Sequence, residues 1–185
     1  PQLGALAVLA AQVRPGDVVL EPSAGTGLLA VLAEACGGAV TLNELSAGRA
    51  AILQELFPLA ARSQHDCEHL KDILPASGSF QVVFLNPPFQ RLEAHLHAAL
   101  DCLAEGGRLS AIVPARFFED VVAMTALAAR GRMNLRLQLM QRAYAKHGTS
   151  VQTALLVMDS GEPSGIVPPV RDALTLADPA RMAQD

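Results

Sequence analysis

Residues 17–27, DVVLEPSAGTG, run from three aliphatic side chains into an acid, a proline and two glycines, and how they are read decides the fold. Val18, Val19 and Leu20 follow one another without polar alternation, the pattern of a strand covered on both faces. The strand closes on Glu21, and Gly25 and Gly27 let the backbone turn tightly before an apolar stretch, Gly27 to Cys36, that reads as a helix. A strand passing through a glycine turn into a helix is the opening of a βαβ unit.

The same rhythm extends in both directions. Upstream, Gln2 to Val13 places Leu3, Leu6, Leu9 and Val13 on one helix face, closed by Pro15 and Gly16. Downstream, GGAVTLN is a strand and Ser46 to Leu59 a helix with Ser46 as its N-cap. A weak third strand falls near Arg62 to His65, mainly by rhythm. QVVFL is the fourth strand, Leu92 to Leu103 a helix ended by Gly106 and Gly107, RLSAIV the fifth strand, and Phe117 to Ala129 a helix ended by Gly131. Alternating units of this length predict an α/β fold, a mostly parallel sheet with helices on both faces. MNLRLQLMQ and VQTALLVMD are joined by RAYAKHGTS, too short for a crossover helix, so an antiparallel pair is expected at one edge. The predicted domain is 1–159, and the Gly- and Pro-rich 160–185 is an arm or linker with a short helix near Asp172.

At 185 residues the chain fits one domain, and 51% hydrophobic against 17% charged residues excludes a disordered polypeptide. No apolar run approaches the roughly 18 residues of a membrane span, so no membrane partner is expected. The start, PQLGALAVLAAQVRPGD, lacks a basic leader, and Cys36, Cys67 and Cys102 are scattered without a CxxC pair. A cytoplasmic setting is therefore expected. The net charge of −4 disfavours nucleic acid as a partner of the whole surface. Between Arg108 and Lys146, however, Arg108, Arg116, Arg130, Arg132, Arg136, Arg142 and Lys146 face only Glu119 and Asp120, enough for a basic face. Solvated flanks explain the same charges equally well.

Ligands of open parallel sheets bind beyond the carboxyl ends of the strands. EPSAGTG lacks the third glycine of a dinucleotide fingerprint and the Gly-Lys-Ser/Thr of a phosphate loop, so it is read as a cradle for a ligand without pyrophosphate. Glu44, at the end of the second strand, can accept both hydroxyls of a ribose, Asp66 an adenine amino group, and Glu21 can meet an ammonium. Singly, Glu44 also fits a surface acid and Asp66 a turn residue. Adenine, ribose and an amino-acid head without phosphate describe S-adenosylmethionine.

The fourth strand runs into Asn86-Pro87-Pro88-Phe89. Two prolines stop the ladder and fix the Pro87 carbonyl, so that carbonyl and the Asn86 carboxamide can both accept hydrogens from one amino group. An aryl amine is a poor nucleophile because its lone pair is delocalised. Two acceptors favour a pyramidal nitrogen and stabilise its developing charge. Phe89 offers a ring on which a flipped base can stack. A plain strand-ending turn would explain the prolines but not their coincidence with EPSAGTG and Glu44.

Together EPSAGTG, TLNEL, HDCEHLKD and LNPPF resemble, in this order, the class I S-adenosylmethionine-dependent methyltransferases that modify amino groups. The likeness is greatest to N6-adenine DNA methyltransferases, in particular those found alongside strawberry-notch-like helicases, and covers residues 1–159 including YAKHGTSVQTALLVMD. It implies a Rossmann-like, seven-stranded sheet with an antiparallel last strand, and cofactor contacts from Glu21, Pro22, Ser23, Ala24, Gly25, Gly27, Glu44, Leu45, Asp66, Cys67 and Asn86. It also implies that PQLGALAVLA contacts the methionine end of the cofactor. No target-recognition domain follows the core and the passage from Phe89 to Leu92 is short, so sequence preference is expected from a helicase-like or target-recognition partner. Guanine-N2 RNA and glutamine-N5 protein methyltransferases use related motifs, so these acceptors stay open, as do a non-catalytic cofactor-binding module and a nicotinamide dehydrogenase.

Other features carry less. His65, Cys67 and His69 alternate like zinc ligands but lack a fourth, and no metal is expected. His95 and His97, two apart on a helix, face different ways. Phe117 and Phe118 read as core, and Tyr144 and His147 either border the target pocket or lie in a plain edge loop.

Overall fold

The computed structural model describes residues 2–74, 78–138 and 152–172. Its strands are β1 (Val18–Glu21), β2 (Ala39–Asn43), β3 (Ala61–Ser63), β4 (Phe80–Leu85), β5 (Leu103–Pro114), β6 (Gly131–Gln138), β7 (Thr153–Ser160) and β8 (Val170–Asp172). The helices are α1 (Gln2–Ala11), α2 (Leu28–Ala35), α3 (Ala47–Leu56), a single turn α4 (Leu70–Ile73), α5 (Leu92–Cys102) and α6 (Val121–Ala128). The sheet order is β3-β2-β1-β4-β5-β7-β6-β8. The strands from β3 to β5 pair in parallel, β7 runs antiparallel to both β5 and β6, and β8 joins β6 in parallel.

The mostly parallel α/β sheet is as expected, with eight strands instead of seven. Two expectations are corrected. The expected antiparallel pair, β6 with β7, is present but is not outermost, because β8 lies beyond β6; β7 sits between β5 and β6, buried from Thr153 to Met158. The outermost strand is β8, so Val170–Asp172 form a strand where a short helix near Asp172 was expected. β3 begins one residue earlier than its rhythm suggested and is only three residues long, all of it exposed or half-buried. A 3-10 turn at Cys67–His69 and the α4 turn after it carried no legible signal beyond polar residues.

Period-two alternation feeds two separate cores. Val82 and Phe84 of β4 pack among Leu3, Ala7, Leu29 and Leu53 of α1 to α3, while Val83 and Leu85 pack among Leu96, Ala99, Met124 and Leu127 of α5 and α6. Each fully buried side chain of this size stabilises the fold by about 1.5–3 kcal/mol relative to exposure. α1 is further anchored where the buried Ser110 hydroxyl of β5 donates to the Ala7 carbonyl oxygen at 2.8 Å. Phe118 is core and Phe117 packs against it, as the sequence suggested. Among the described residues no helix is long and apolar enough to cross a membrane.

Candidate active site

β1 and β4 are neighbours, with Val19 opposite Val82 and Leu20 opposite Val83. That register brings the turn after Glu21 and the Asn86-Pro87-Pro88 turn to the same end of adjacent strands. Asn86 is exposed, Pro87 buried, and Pro88 and Phe89 exposed. The carboxamide is therefore not turned into the core. Pro88 is extended at φ −61°, ψ 133° and leads into a 3-10 turn, Phe89–Arg91, that opens α5.

The two glycines of EPSAGTG have different jobs. Both lie at positive φ, +57° for Gly25 and +83° for Gly27. A Cβ on Gly25 would meet nothing within 4 Å, so the space beside it is open to a ligand. A Cβ on Gly27 would lie 2.5 Å from Phe57 Cε2. Gly27 thus faces the core as the N-cap of α2, and its lack of a side chain serves packing.

Behind the loop, Asn43 at the end of β2 is buried with its carboxamide fully used. Its Nδ2 donates to the carbonyls of Pro22 and His65, each at 2.9 Å, and its Oδ1 accepts from Ser63 Oγ at 2.8 Å and His65 N at 3.0 Å. The Ala24 N–H donates to the Asn43 carbonyl at 2.9 Å. One side chain thereby ties the loops after β1 and β3 to β2. Cys67 is buried and hydrogen-bonded to Ser23, and burial, followed by the charges of Asp66 and Glu68, pushes its thiol up to about 12. It is a packing thiol, not a nucleophile.

Glu44 is 4% exposed. Its Oε2 accepts from Gly25 N at 2.8 Å, and its Oε1 accepts from Ser46 N at 2.8 Å and Arg49 NH2 at 2.7 Å. Burial by itself would raise its pKa; Arg49 and the two N–H groups outweigh that and hold it below the ordinary carboxylate range. With roughly four acceptor positions on a carboxylate, three are taken. A pair of ribose hydroxyls can both bind only where Arg49, whose side chain is 53% exposed, swings aside. Leu45, beside it, is exposed.

Glu21 differs from its expected role. It is 3% exposed and accepts from Ala30 N in the first turn of α2 at 3.0 Å. Burial, followed by repulsion from Glu44 against that single hydrogen bond, raises its pKa to about 8. A neutral, enclosed carboxyl caps the helix and is not presented to an ammonium in the cleft.

Asp66 caps the 3-10 turn after β3, its Oδ1 accepting from Glu68 N at 3.1 Å, and it remains half-buried. Arg91 donates to Glu68 Oε2 and lies 3.7 Å from Asp66 Oδ2. Among the described residues one set of possible metal ligands converges, Asp66, Glu68 and His95, and it is not the alternating set read from the sequence. His65 and His69 are exposed. The guanidinium of Arg91 already supplies positive charge to these acids. His95 is buried toward Glu68, whereas His97 is half-exposed and meets Arg130, so the two histidines do face different ways.

Among the described residues the basic half does not assemble into one face. Arg108 and Arg132 both bind Asp159 at the far end of the sheet, Arg130 binds Asp101 and His97, and Arg136 is buried, donating to the carbonyls of Phe118 and Pro168 with its guanidinium over the Phe118 ring. Internal acids and carbonyls absorb these charges, and only Arg116 of those described is exposed without an ion pair among the described residues. Arg142, Tyr144, Lys146 and His147 lie outside the described residues.

No family model and no curated protein matches the sequence. Solved structures do match the fold. A predicted O-methyltransferase from Agrobacterium tumefaciens is 21% identical with a TM-score of 0.66, covering 92% of this chain and 83% of that one. The M protein of the type I restriction enzyme EcoKI is 16% identical with a TM-score of 0.74, covering 86% of this chain and 43% of that one. A Listeria monocytogenes protein described as a class I S-adenosylmethionine-dependent methyltransferase is 15% identical with a TM-score of 0.73, covering all of this chain and 68% of that one. The chain has the class I methyltransferase fold. The residues of the candidate site that sequence reading missed are Asn43, Arg49, Glu68 and Arg91. Asn43 and Glu68 sat inside the quoted motifs TLNEL and HDCEHLKD, yet which loops they join depends on chain segments about 20 residues away.

Proposed function

We propose that this chain transfers a methyl group from S-adenosylmethionine to an exocyclic amino group, with N6 of adenine in DNA as the acceptor. The observation that carries this reading is the exposed Asn86 carboxamide, held by a rigid Pro87-Pro88 turn on the strand next to the open Gly25 loop. The loop fits the cofactor: the space at Gly25 is open, one acceptor position is free on Glu44, and no phosphate-binding lysine is present in EPSAGTG. Pro22, Ser23 and Ala24 form its backbone wall, Glu44 and Leu45 its ribose side, and Asp66 and Cys67 its adenine side. Glu21 serves indirectly, through α2.

When bound, S-adenosylmethionine supplies an electrophilic methyl group on a sulfonium. The chain's own residues orient the acceptor. Asn86 Oδ1 and the Pro87 carbonyl would each accept one N–H hydrogen, directing the nitrogen lone pair toward the methyl carbon and stabilising positive charge as the N–C bond forms and the S–C bond breaks, with S-adenosylhomocysteine as the leaving group. Phe89, 36% exposed, stacks on the flipped ring. The methylated nitrogen then loses its proton to water, so no strong base is required.

Adenine in DNA is favoured by Phe89 and by the fold neighbour EcoKI M protein, an N6-adenine DNA methyltransferase. Among the described residues most of the basic side chains are engaged internally, which favours a helicase-like or target-recognition partner that supplies DNA contact. Residues 1–159 act as the methyltransferase domain, in the cytoplasm, and 160–185 as an arm, of which Val170–Asp172 pair with β6. The test is incubation with labelled S-adenosylmethionine and plasmid DNA followed by a nucleoside digest. The expected product is N6-methyladenine; label recovered only in guanine or in protein glutamine would overturn the acceptor, and cofactor binding with no transfer would overturn catalysis.

A further inference from the structure

We propose that Arg91 is a positioning residue that couples the acceptor turn to the adenine side of the cofactor site, so that cofactor and target reinforce each other's binding. The inference rests on the methyltransferase reading above.

Arg91 ends the 3-10 turn that begins at Phe89, directly after Asn86-Pro87-Pro88. From there it reaches 23 residues back in the chain to Glu68 and stands 3.7 Å from Asp66. Asp66 and Glu68 belong to one turn, since Asp66 Oδ1 caps it through Glu68 N. Asn86, Pro88, Phe89 and Gln90 are all exposed, so Arg91 provides the ion pairs that tie this turn to the rest of the protein. His95, four residues on and facing the same way, lies 3.5 Å from Glu68 Oε1, which is buried and without a hydrogen-bond partner. Arg91 is thus the group that holds Glu68 to the start of α5.

Asp66 carries two loads on one carboxylate. Its Oδ1 caps the turn and its Oδ2 faces Arg91, and Oδ2 is the oxygen left for an adenine amino group. A donor arriving there meets Asp66 Oδ2 beside Arg91, so the guanidinium shifts its hold toward Glu68 and carries the acceptor turn with it. The arginine side chain is 60% exposed, so the tie is a light one that water can replace. A light tie between two ligand loops suits a coupler better than a strut. Coupling of this kind is reciprocal by linkage.

The chain contains no tryptophan, so Gln90→Trp gives a single fluorescent reporter on the acceptor turn. S-adenosylhomocysteine is titrated into Gln90→Trp and into Gln90→Trp/Arg91→Ala, with its affinity measured by calorimetry. An adenine-containing DNA duplex is titrated into the Arg91 and Arg91→Ala proteins with and without S-adenosylhomocysteine. The expected result is an emission change that needs Arg91, and duplex binding tightened about 5-fold or more by S-adenosylhomocysteine only when Arg91 is present. Turnover should fall about 10- to 100-fold in Arg91→Ala, the cofactor affinity measured without DNA should change little while that measured with the duplex bound should weaken by the lost coupling factor, and Arg91→Lys should recover part of both. Glu68→Gln, which breaks the pair from the other side, should reproduce the loss. A full emission response and full coupling in Arg91→Ala, with S-adenosylhomocysteine still bound, would overturn the coupling alone. No binding of S-adenosylhomocysteine to any variant would overturn the coupling and the methyltransferase reading together.

Discussion

The two halves of the candidate site sit on adjacent strands and are built in opposite ways. On the cofactor side, the loops after β1, β2 and β3 are fixed by buried polar groups with their hydrogen bonds made: four to the side chain of Asn43, three to Glu44, one to Glu21. On the acceptor side, a turn rigid in its own backbone projects into solvent and is tied back through one exposed arginine. Buried networks with satisfied partners hold one geometry, whereas exposed ion pairs can exchange with water. On the proposed function, the small, constant ligand would be met by the fixed half and the large, variable one by the half with latitude.

Asn86→Ala is the severest test of this contrast. Removing one of two acceptors at the reacting nitrogen should lower turnover by about 10²- to 10³-fold while leaving S-adenosylmethionine affinity within a fewfold, read by single-turnover kinetics beside calorimetry. Unchanged turnover would end the proposed chemistry.

Glu21 probes how tightly the fixed half is enclosed. Its folded pKa of about 8 stands above the 4.5 of an ordinary glutamate. Between those values the unfolded chain has released a proton that the folded protein keeps, so stability from this group is full below about pH 4.5 and declines as pH rises toward 8. Glu21→Gln keeps an acceptor for Ala30 N and should remove that decline, on the order of a few kcal/mol, in thermal unfolding followed from pH 5 to 8. Glu44, Asp101 and Asp159 have lowered values and act in a separate, more acid window, their contributions being lost as pH falls below the usual carboxylate range.

The two glycines separate packing from ligand access within a single loop. Gly27→Ala forces a methyl against Phe57 and should cost about 2–3 kcal/mol of stability by urea unfolding. Gly25→Ala meets open space, so only its positive φ is penalised, about 1–2 kcal/mol, and its larger effect should be on cofactor affinity. Equal stability losses with equal cofactor affinity would remove the distinction. The smallest effect is expected at Arg49. Arg49→Ala loses a pair that is exposed on the arginine side only and leaves Glu44 its two backbone donors, while freeing Glu44 Oε1, so S-adenosylmethionine should bind at least as tightly by calorimetry.

The positions of Asn86 and Gly25 were legible because each follows a buried strand and obeys a local rule, proline ending a ladder and glycine opening a turn. Glu21 was misread because its neighbour in space, Ala30, lies on the next helix, and burial sets the charge of a carboxyl. The basic run stayed open between two readings for the same reason: Arg108 and Arg132 find Asp159 only through the pairing of β5 and β6 with β7. Along the chain these arginines are close to one another, while in the sheet they are close to their counter-ion.

By itself the sequence determined the alternation of strands and helices, the two-sided burial of the sheet, and the loops that end its strands, since these follow from side-chain periodicity and backbone stereochemistry within a few residues. The tertiary structure alone decided that β7 lies inside the sheet and β8 at its edge, which glycine faces the ligand, and which carboxylates are free, neutral or clamped. Those outcomes depend on burial and on partners brought together from distant segments, and no local pattern encodes either.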